Sequence, residues 1–258
     1  MEITGSAKRS FERSLQLRER AKQVMVGGGQ PHKRSQPPQP VIIERGQGSH
    51  IWDADGNEYI DYLMAYGPVL LGYGYPKVIE AVTKHIQKGN VYNVGHPLEI
   101  ELAEKLVDLI PSAERVTYFV GGSDATTGAI KLARAYTGKE KIVRCGYHGW
   151  HDWCSGGRGT LLATTPYTLS MAFNDLNSLE DVFKEHGKSI SCVIMEATGH
   201  ELPKEGYEVK TGFRYALGGA QEYFGVTPDM SVFSKAMGNG FGIAAVVGKK
   251  DITDEEVH

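Results

Sequence analysis

Three short stretches carry residues whose type and spacing can do chemistry. Gly121-Gly122-Ser123-Asp124-Ala125 stands between a strand-like apolar run ending at Val120 and a helix-like run. Three readings of this turn are open. In the first, the glycines let the backbone approach an anion, the helix start supplies N–H groups and a positive dipole, and Ser123 adds a hydroxyl, which makes a phosphate cradle. In the second, G-x-S-x-A is a variant nucleophile elbow with Ser123 as nucleophile, a loose match because the motif ends in alanine. In the third, it is a plain strand-to-helix turn with Ser123 or Asp124 as N-cap.

The second stretch is Phe233-Ser-Lys235-Ala-Met-Gly238-Asn-Gly240, which places one lysine between a strand-like run and a glycine-rich turn. A partly desolvated lysine at a strand end can act as a Schiff-base nucleophile. Most lysines are solvated surface charges, and Lys235 by itself reads as one. "GNGFGI" does not make a dinucleotide fingerprint, because Ile243 stands where the third small residue is needed. The third stretch is "GYHGWHDW", Gly146–Trp153. Tyr147 or Trp150 can stack on a flat heteroaromatic ring, with His148, His151 and Asp152 as polar neighbours. A metal pair, His148 with His151, lacks a third ligand nearby. An aromatic face, a phosphate cradle and a lysine together describe a site for a phosphorylated aromatic aldehyde, pyridoxal 5'-phosphate.

Such groups need a scaffold that brings them to one place. Helices are expected over 76–88, 97–109, 124–137 and 178–187, and strands over 115–120, 141–145 and 190–195. This alternation implies an α/β fold with a mostly parallel sheet flanked by helices, whose ligands bind beyond the carboxyl ends of the strands. The glycine turn and the aromatic loop both fall there. Upstream, Phe11, Leu15, Ala21 and Met25 mark an amphipathic helix over 10–26 that Gly27-Gly28-Gly29 stops. A proline-rich connection follows. "VIIERG", "SHIW" and "EYIDYL" then read as a meander, with turn chemistry at Asp53–Asn57 in which a calcium loop lacks its glutamate. The division expected is an N-terminal arm and small β-meander segment, 1–75, and a large α/β domain, 76–258.

With 258 residues, 41% of them hydrophobic, the chain can build a sizeable core. A net charge of -3 with mixed signs offers no basic stripe for nucleic acid. No apolar run suits a membrane span. The charged start "MEITGSAKRS" is unlike a secretory signal, so a cytoplasmic address is expected. Three cysteines without a CxxC pair read as reduced thiols.

From about Phe11 to the end the sequence resembles the class III aminotransferases, and within them the branch of glutamate-1-semialdehyde aminomutase. "RGQGSHIWDADGNEYIDYL", "GGSDATTGAIKLARAYTGKEKIV", "YHGWHDW", "TGFRYALGGAQEYFGVTPD" and "FSKAMGNGFGIAAVVGKKDI" carry the likeness. The resemblance implies a fold-type I large domain with a seven-stranded sheet, a homodimer, and a small-molecule amino donor and carbonyl acceptor. Carried over position by position, it implies that Gly122 and Ser123 bind the cofactor phosphate, that Tyr147 stacks on the ring with His148 beside it, and that Lys235 is the catalytic Schiff-base lysine.

Three departures accompany it. "PKEGY" runs straight into Glu208 and "TGFR" at 211–214, where the family places a helix and a strand, so Tyr207 takes the place of the aspartate that pairs with the pyridine nitrogen. The chain stops at His258, before the family's C-terminal part. The stretch after Glu196, the position of the family's glutamate, is shortened. Without the central strand, its neighbours' N–H and C=O groups need new partners, and the sheet is expected to close the gap or leave the domain compromised. Transaminase, aminomutase and a non-catalytic shortened paralogue are the functions left open, with a serine hydrolase as a more distant one.

Overall fold

The local signals become elements close to their expected positions in the computed structural model, which describes residues 9–28, 41–156, 158–197 and 216–255. The chain divides into two units, Met1–Val91 and Tyr92–His258.

In the first unit, helix α1 (Glu12–Val24) precedes an antiparallel sheet of β1 (Ile43–Gln47), β2 (His50–Asp53) and β3 (Glu58–Ile60), and helix α2 (Pro76–Ile86) follows. Asp53 explains the turn between β2 and β3. Its carboxylate accepts the backbone N–H groups of Asp55 and Asn57, the Asn57 amide and the Tyr59 hydroxyl, at 2.7–3.0 Å. Four donors make up for burying this charge. Asp55 reaches elsewhere, accepting the Arg13 and Ser14 N–H groups at 2.8 and 2.9 Å and so capping α1 from a distance. Phe11, the residue before α1, has no side chain that can do this. The apolar face expected for α1 is not the buried one. Leu15 and Met25 are exposed and Ser14 is buried, because the tie to Asp55 turns that side of the helix inward.

In the second unit, α3 (Pro97–Leu109), β4 (Arg115–Phe119), α4 (Gly122–Thr137) and β5 (Lys141–Cys145) come first. Then follow β6 (Thr168–Ser170), α5 (Leu176–His186), β7 (Ile190–Met195), α6 (Ala220–Phe224), β8 (Met230–Phe233), β9 (Ala244–Gly248) and α7 (Lys250–Thr253). Strand β9 is the centre of one sheet, antiparallel to β4 on one side and to β8 on the other. Its alternation sorts the core: Ala244 and Val246 pack with Ala125, Ala129 and Leu132 of α4, while Ala245 and Val247 pack with Leu106 and Ile110 near α3. Complete burial of Val246 and Val247 contributes about 1.5–3 kcal/mol each. A strand covered on both faces reads as a continuous apolar run, which is why "AAVVG" does not announce itself by alternation.

The second sheet has the order β6-β5-β7, all parallel. The α/β class expected from the sequence is therefore observed, with the described strands of this unit in two ladders. Among the described residues β8 pairs with β9 alone and β7 with β5 alone, although helix α4 packs against both β7 and β8. Val193 and Met195 of β7 stay exposed while β9 is wholly buried. Packing on α4 is shared by both groups of strands. Tyr207 and the junction around it lie outside the described residues.

Candidate active site

Each expected site residue follows the carboxyl end of a strand. Strand β4 leads into the Gly121–Ser123 turn, β5 into the loop 146–153, β7 into Glu196 and β8 into Ser234-Lys235. Gly121 precedes α4 in extended conformation and offers no capping side chain, so the first N–H groups of a 16-residue helix meet no cap from it. A Cβ on Gly122 would stand 3.2 Å from both Cβ and Oγ of Ser234, so glycine lets the helix start approach the residue before Lys235. Lys235 itself opens a short 3-10 turn, Lys235–Gly238, in the left-handed region at φ 51, a conformation a lysine adopts at a cost. Its Nζ lies over the exposed ring of Tyr147, 5.9 Å from the centroid.

The loop 146–153 is fastened from two sides. The Tyr147 N–H donates to Glu196 Oε2 at 3.0 Å. On the α4 side, Thr126 Oγ1 bonds the His148 carbonyl at 2.8 Å, and Thr127 Oγ1 meets His151 Nδ1 and the Trp153 indole N–H, each at 2.8 Å. Gly149 has φ +117 and lies so close to Ser123 that a Cβ there would stand 2.8 Å from Ser123 Cβ. His148 is buried, stacked near Trp153 with its Nε2 2.9 Å from the Cys145 carbonyl, and burial pushes its pKa down, which favours the neutral ring. The two histidine side chains are thus engaged with protein groups rather than paired toward a metal.

The structure therefore brings Gly122, Ser123, Tyr147, His148 and Lys235 into one neighbourhood, with His148 beneath the loop surface and Tyr147 on it. Sequence reasoning missed Ser234, Thr126, Thr127 and Trp153 as its supports. A signal for the threonines did exist: they stand three and four residues after Ser123, on the same helical face.

The donor set fits a phosphorylated aromatic aldehyde: helix N–H groups and a hydroxyl for an anion, an open aromatic face and a primary amine beside it. A helix start, an aromatic loop and a strand-end lysine at the carboxyl edge of an α/β sheet define a fold-type I pyridoxal-phosphate protein. The profile described as Aminotransferase class-III matches residues 32–201. The chain belongs to that family.

It is 40% identical to the 3-aminobutyryl-CoA aminotransferase of Cloacimonas acidaminovorans (strain Evry), over 95% of this chain and 66% of that protein. It is 38% identical to the glutamate-1-semialdehyde 2,1-aminomutase of Methanobrevibacter smithii, over 93% of this chain and 65% of that one. The omega-transaminase structure from Sphaerobacter thermophilus superposes with a TM-score of 0.85 at 28% identity, covering 97% of this chain and 66% of its own. A transaminase with PLP bound gives 0.86 at 25%, covering 96% and 66%. This chain thus spans just under two thirds of the relatives' length. The first alignment runs over 276 positions, more than the 258 residues of the chain, so that relative holds residues this one lacks.

Proposed function

We propose that the chain binds pyridoxal 5'-phosphate at this site and serves amino-group transfer between an amine or amino acid and a carbonyl compound, at a much reduced rate. The observation that carries the reading is Lys235 Nζ over the Tyr147 ring, beside the helix start that can take a phosphate. When bound, the cofactor supplies an electrophilic aldehyde and a ring able to accept electrons. Gly122, Ser123 and the N-terminal N–H groups of α4 would hold the phosphate. Tyr147 offers its face to the ring and His148 supports the loop from below. Lys235 would present its amine to the aldehyde and hold or move a proton at Nζ.

The reduced rate follows from the acidic groups. Tyr207, which takes the place of the ring-nitrogen aspartate by sequence, cannot hold that nitrogen protonated as a carboxylate does. Glu196, the carboxylate that follows β7, is turned onto the Tyr147 N–H. An aminomutase acting on a single amino-aldehyde would use the same parts, and the aminomutases among the relatives favour keeping that reading beside the first. A homodimer and a cytoplasmic location are part of the proposal.

Absorbance of the chain mixed with pyridoxal 5'-phosphate, before and after borohydride, tests the cofactor reading. A visible band that borohydride removes, leaving cofactor covalently attached, is expected. A mixture whose spectrum is the sum of its parts, with no attached cofactor after reduction, would refute it.

A further inference from the structure

We infer that Thr127 is a positioning residue of the cofactor site, fixing the loop 146–153 against α4 through its side-chain oxygen. The inference rests on the cofactor reading above. Thr127 Oγ1 has three partners: the Trp153 indole at 2.8 Å, His151 Nδ1 at 2.8 Å and the Ser123 carbonyl at 3.0 Å. A threonine hydroxyl has one proton and two lone pairs, and an indole N–H can only donate. One lone pair therefore serves Trp153, the proton goes to the Ser123 carbonyl, which can only accept, and the other lone pair accepts from His151 as its Nδ1–H tautomer. The oxygen is fully engaged.

That engagement decides between two roles. Thr127, His151 and Asp124, whose Oδ1 is 3.6 Å from His151 Nε2, have the order of a nucleophile, a base and an acid. A nucleophile must give its proton to the base and keep a lone pair free, and with its proton on the Ser123 carbonyl and its lone pairs taken by Trp153 and His151 Thr127 does neither. It acts instead as a knot. Ser123, Thr126 and Thr127 share one face of α4, so the residue proposed to bind phosphate and the residues that grip the loop belong to one rigid turn. Thr126 takes the His148 carbonyl and Thr127 the far end of the loop, while Glu196 takes the Tyr147 N–H from the other side. Tyr147 stands in this loop with its ring exposed and beneath Lys235 Nζ, so ties that hold the loop bear on where that face lies.

The test compares Thr127→Val, which keeps the shape and removes the oxygen, with Thr127→Ser, which restores it. Hydrogen exchange of the 146–153 peptide is read in the cofactor-free protein, and affinity for pyridoxal 5'-phosphate by absorbance. Thr127→Val should speed exchange in the loop and not in β4, and weaken cofactor binding by about tenfold, the worth of one to two such hydrogen bonds. Thr127→Ser should stay near the parent in both. Should Thr127→Val not fold, Trp153→Phe removes the indole donor and gives the same comparison. A parent that binds no pyridoxal 5'-phosphate refutes the cofactor reading. A parent that binds it, with exchange and affinity unmoved in the valine variant, or equally disturbed in the serine one, refutes the role of Thr127 alone.

Discussion

Lys235 and Tyr147 face each other at the edge of the site, the ammonium 5.9 Å above the centroid of the phenol ring. At an exposed position such a contact is worth about 0.5–1 kcal/mol. That is enough to bias a flexible lysine toward the ring and too little to resist a cofactor that takes the same face. The left-handed backbone of Lys235 aims the side chain, since rotation about φ at the strand end decides which way it leaves the sheet.

Lys235 should therefore be the lysine that captures pyridoxal 5'-phosphate. Borohydride reduction followed by peptide mapping should place the cofactor on Lys235, and Lys235→Ala should carry none. Label on a different lysine of the unmodified chain would contradict the assignment.

Ser123 should contribute affinity for the phosphate and not nucleophilic chemistry. Ser123→Ala is expected to weaken cofactor binding by about 0.5–1.5 kcal/mol, or up to about 3 where the hydroxyl bonds a charged oxygen well. Equilibrium titration measures it. Covalent labelling of Ser123 by a fluorophosphonate would instead favour the hydrolase reading.

Acid should weaken the first unit through Asp53. Burial raises its pKa, but the hydrogen bonds from Asn57, Tyr59 and the backbone outweigh that and hold it below the ordinary carboxylate value. Tyr59, desolvated and bonded to Asp53, is pushed up to about 12. A depressed folded pKa means that the stability Asp53 confers is complete above the unfolded value of about 3.9 and is lost as pH falls through the folded one. Denaturant titrations followed by circular dichroism at pH 7 and in acid should show Asp53→Asn less stable at pH 7 by about 1–3 kcal/mol. The gap to the parent should shrink toward low pH. A gap that does not change with pH would remove Asp53 as the cause.

Amino transfer should be slow even where Lys235 is loaded. Loss of one well-placed electrostatic partner commonly costs about 100- to 1,000-fold in rate, and on the proposed reading a tyrosine, Tyr207, stands where a ring-nitrogen carboxylate is needed. Single-turnover conversion with an amino donor measures this. A rate equal to that of a full-length relative would defeat the argument.

Much of this protein is determined by sequence alone, and for local reasons. The Asp53–Asn57 turn, the proline-started helices α2 and α3, and the β4–turn–α4–β5 run follow from turn chemistry and periodicity within a few neighbouring residues. The types of Ser123, Tyr147 and Lys235 point to a phosphate, a ring and an aldehyde before any fold is known. Tertiary structure decided what depends on distant partners. Strand β9 lies between β4 and β8, α4 packs against both β7 and β8, Asp55 caps a helix forty residues upstream, and Thr127 ties down a loop that begins after the next strand. The physical reason is common to all four. A backbone N–H, a carboxylate or a hydroxyl can be satisfied by any suitable partner, and which one it meets is set by how the whole chain packs, not by the residues beside it.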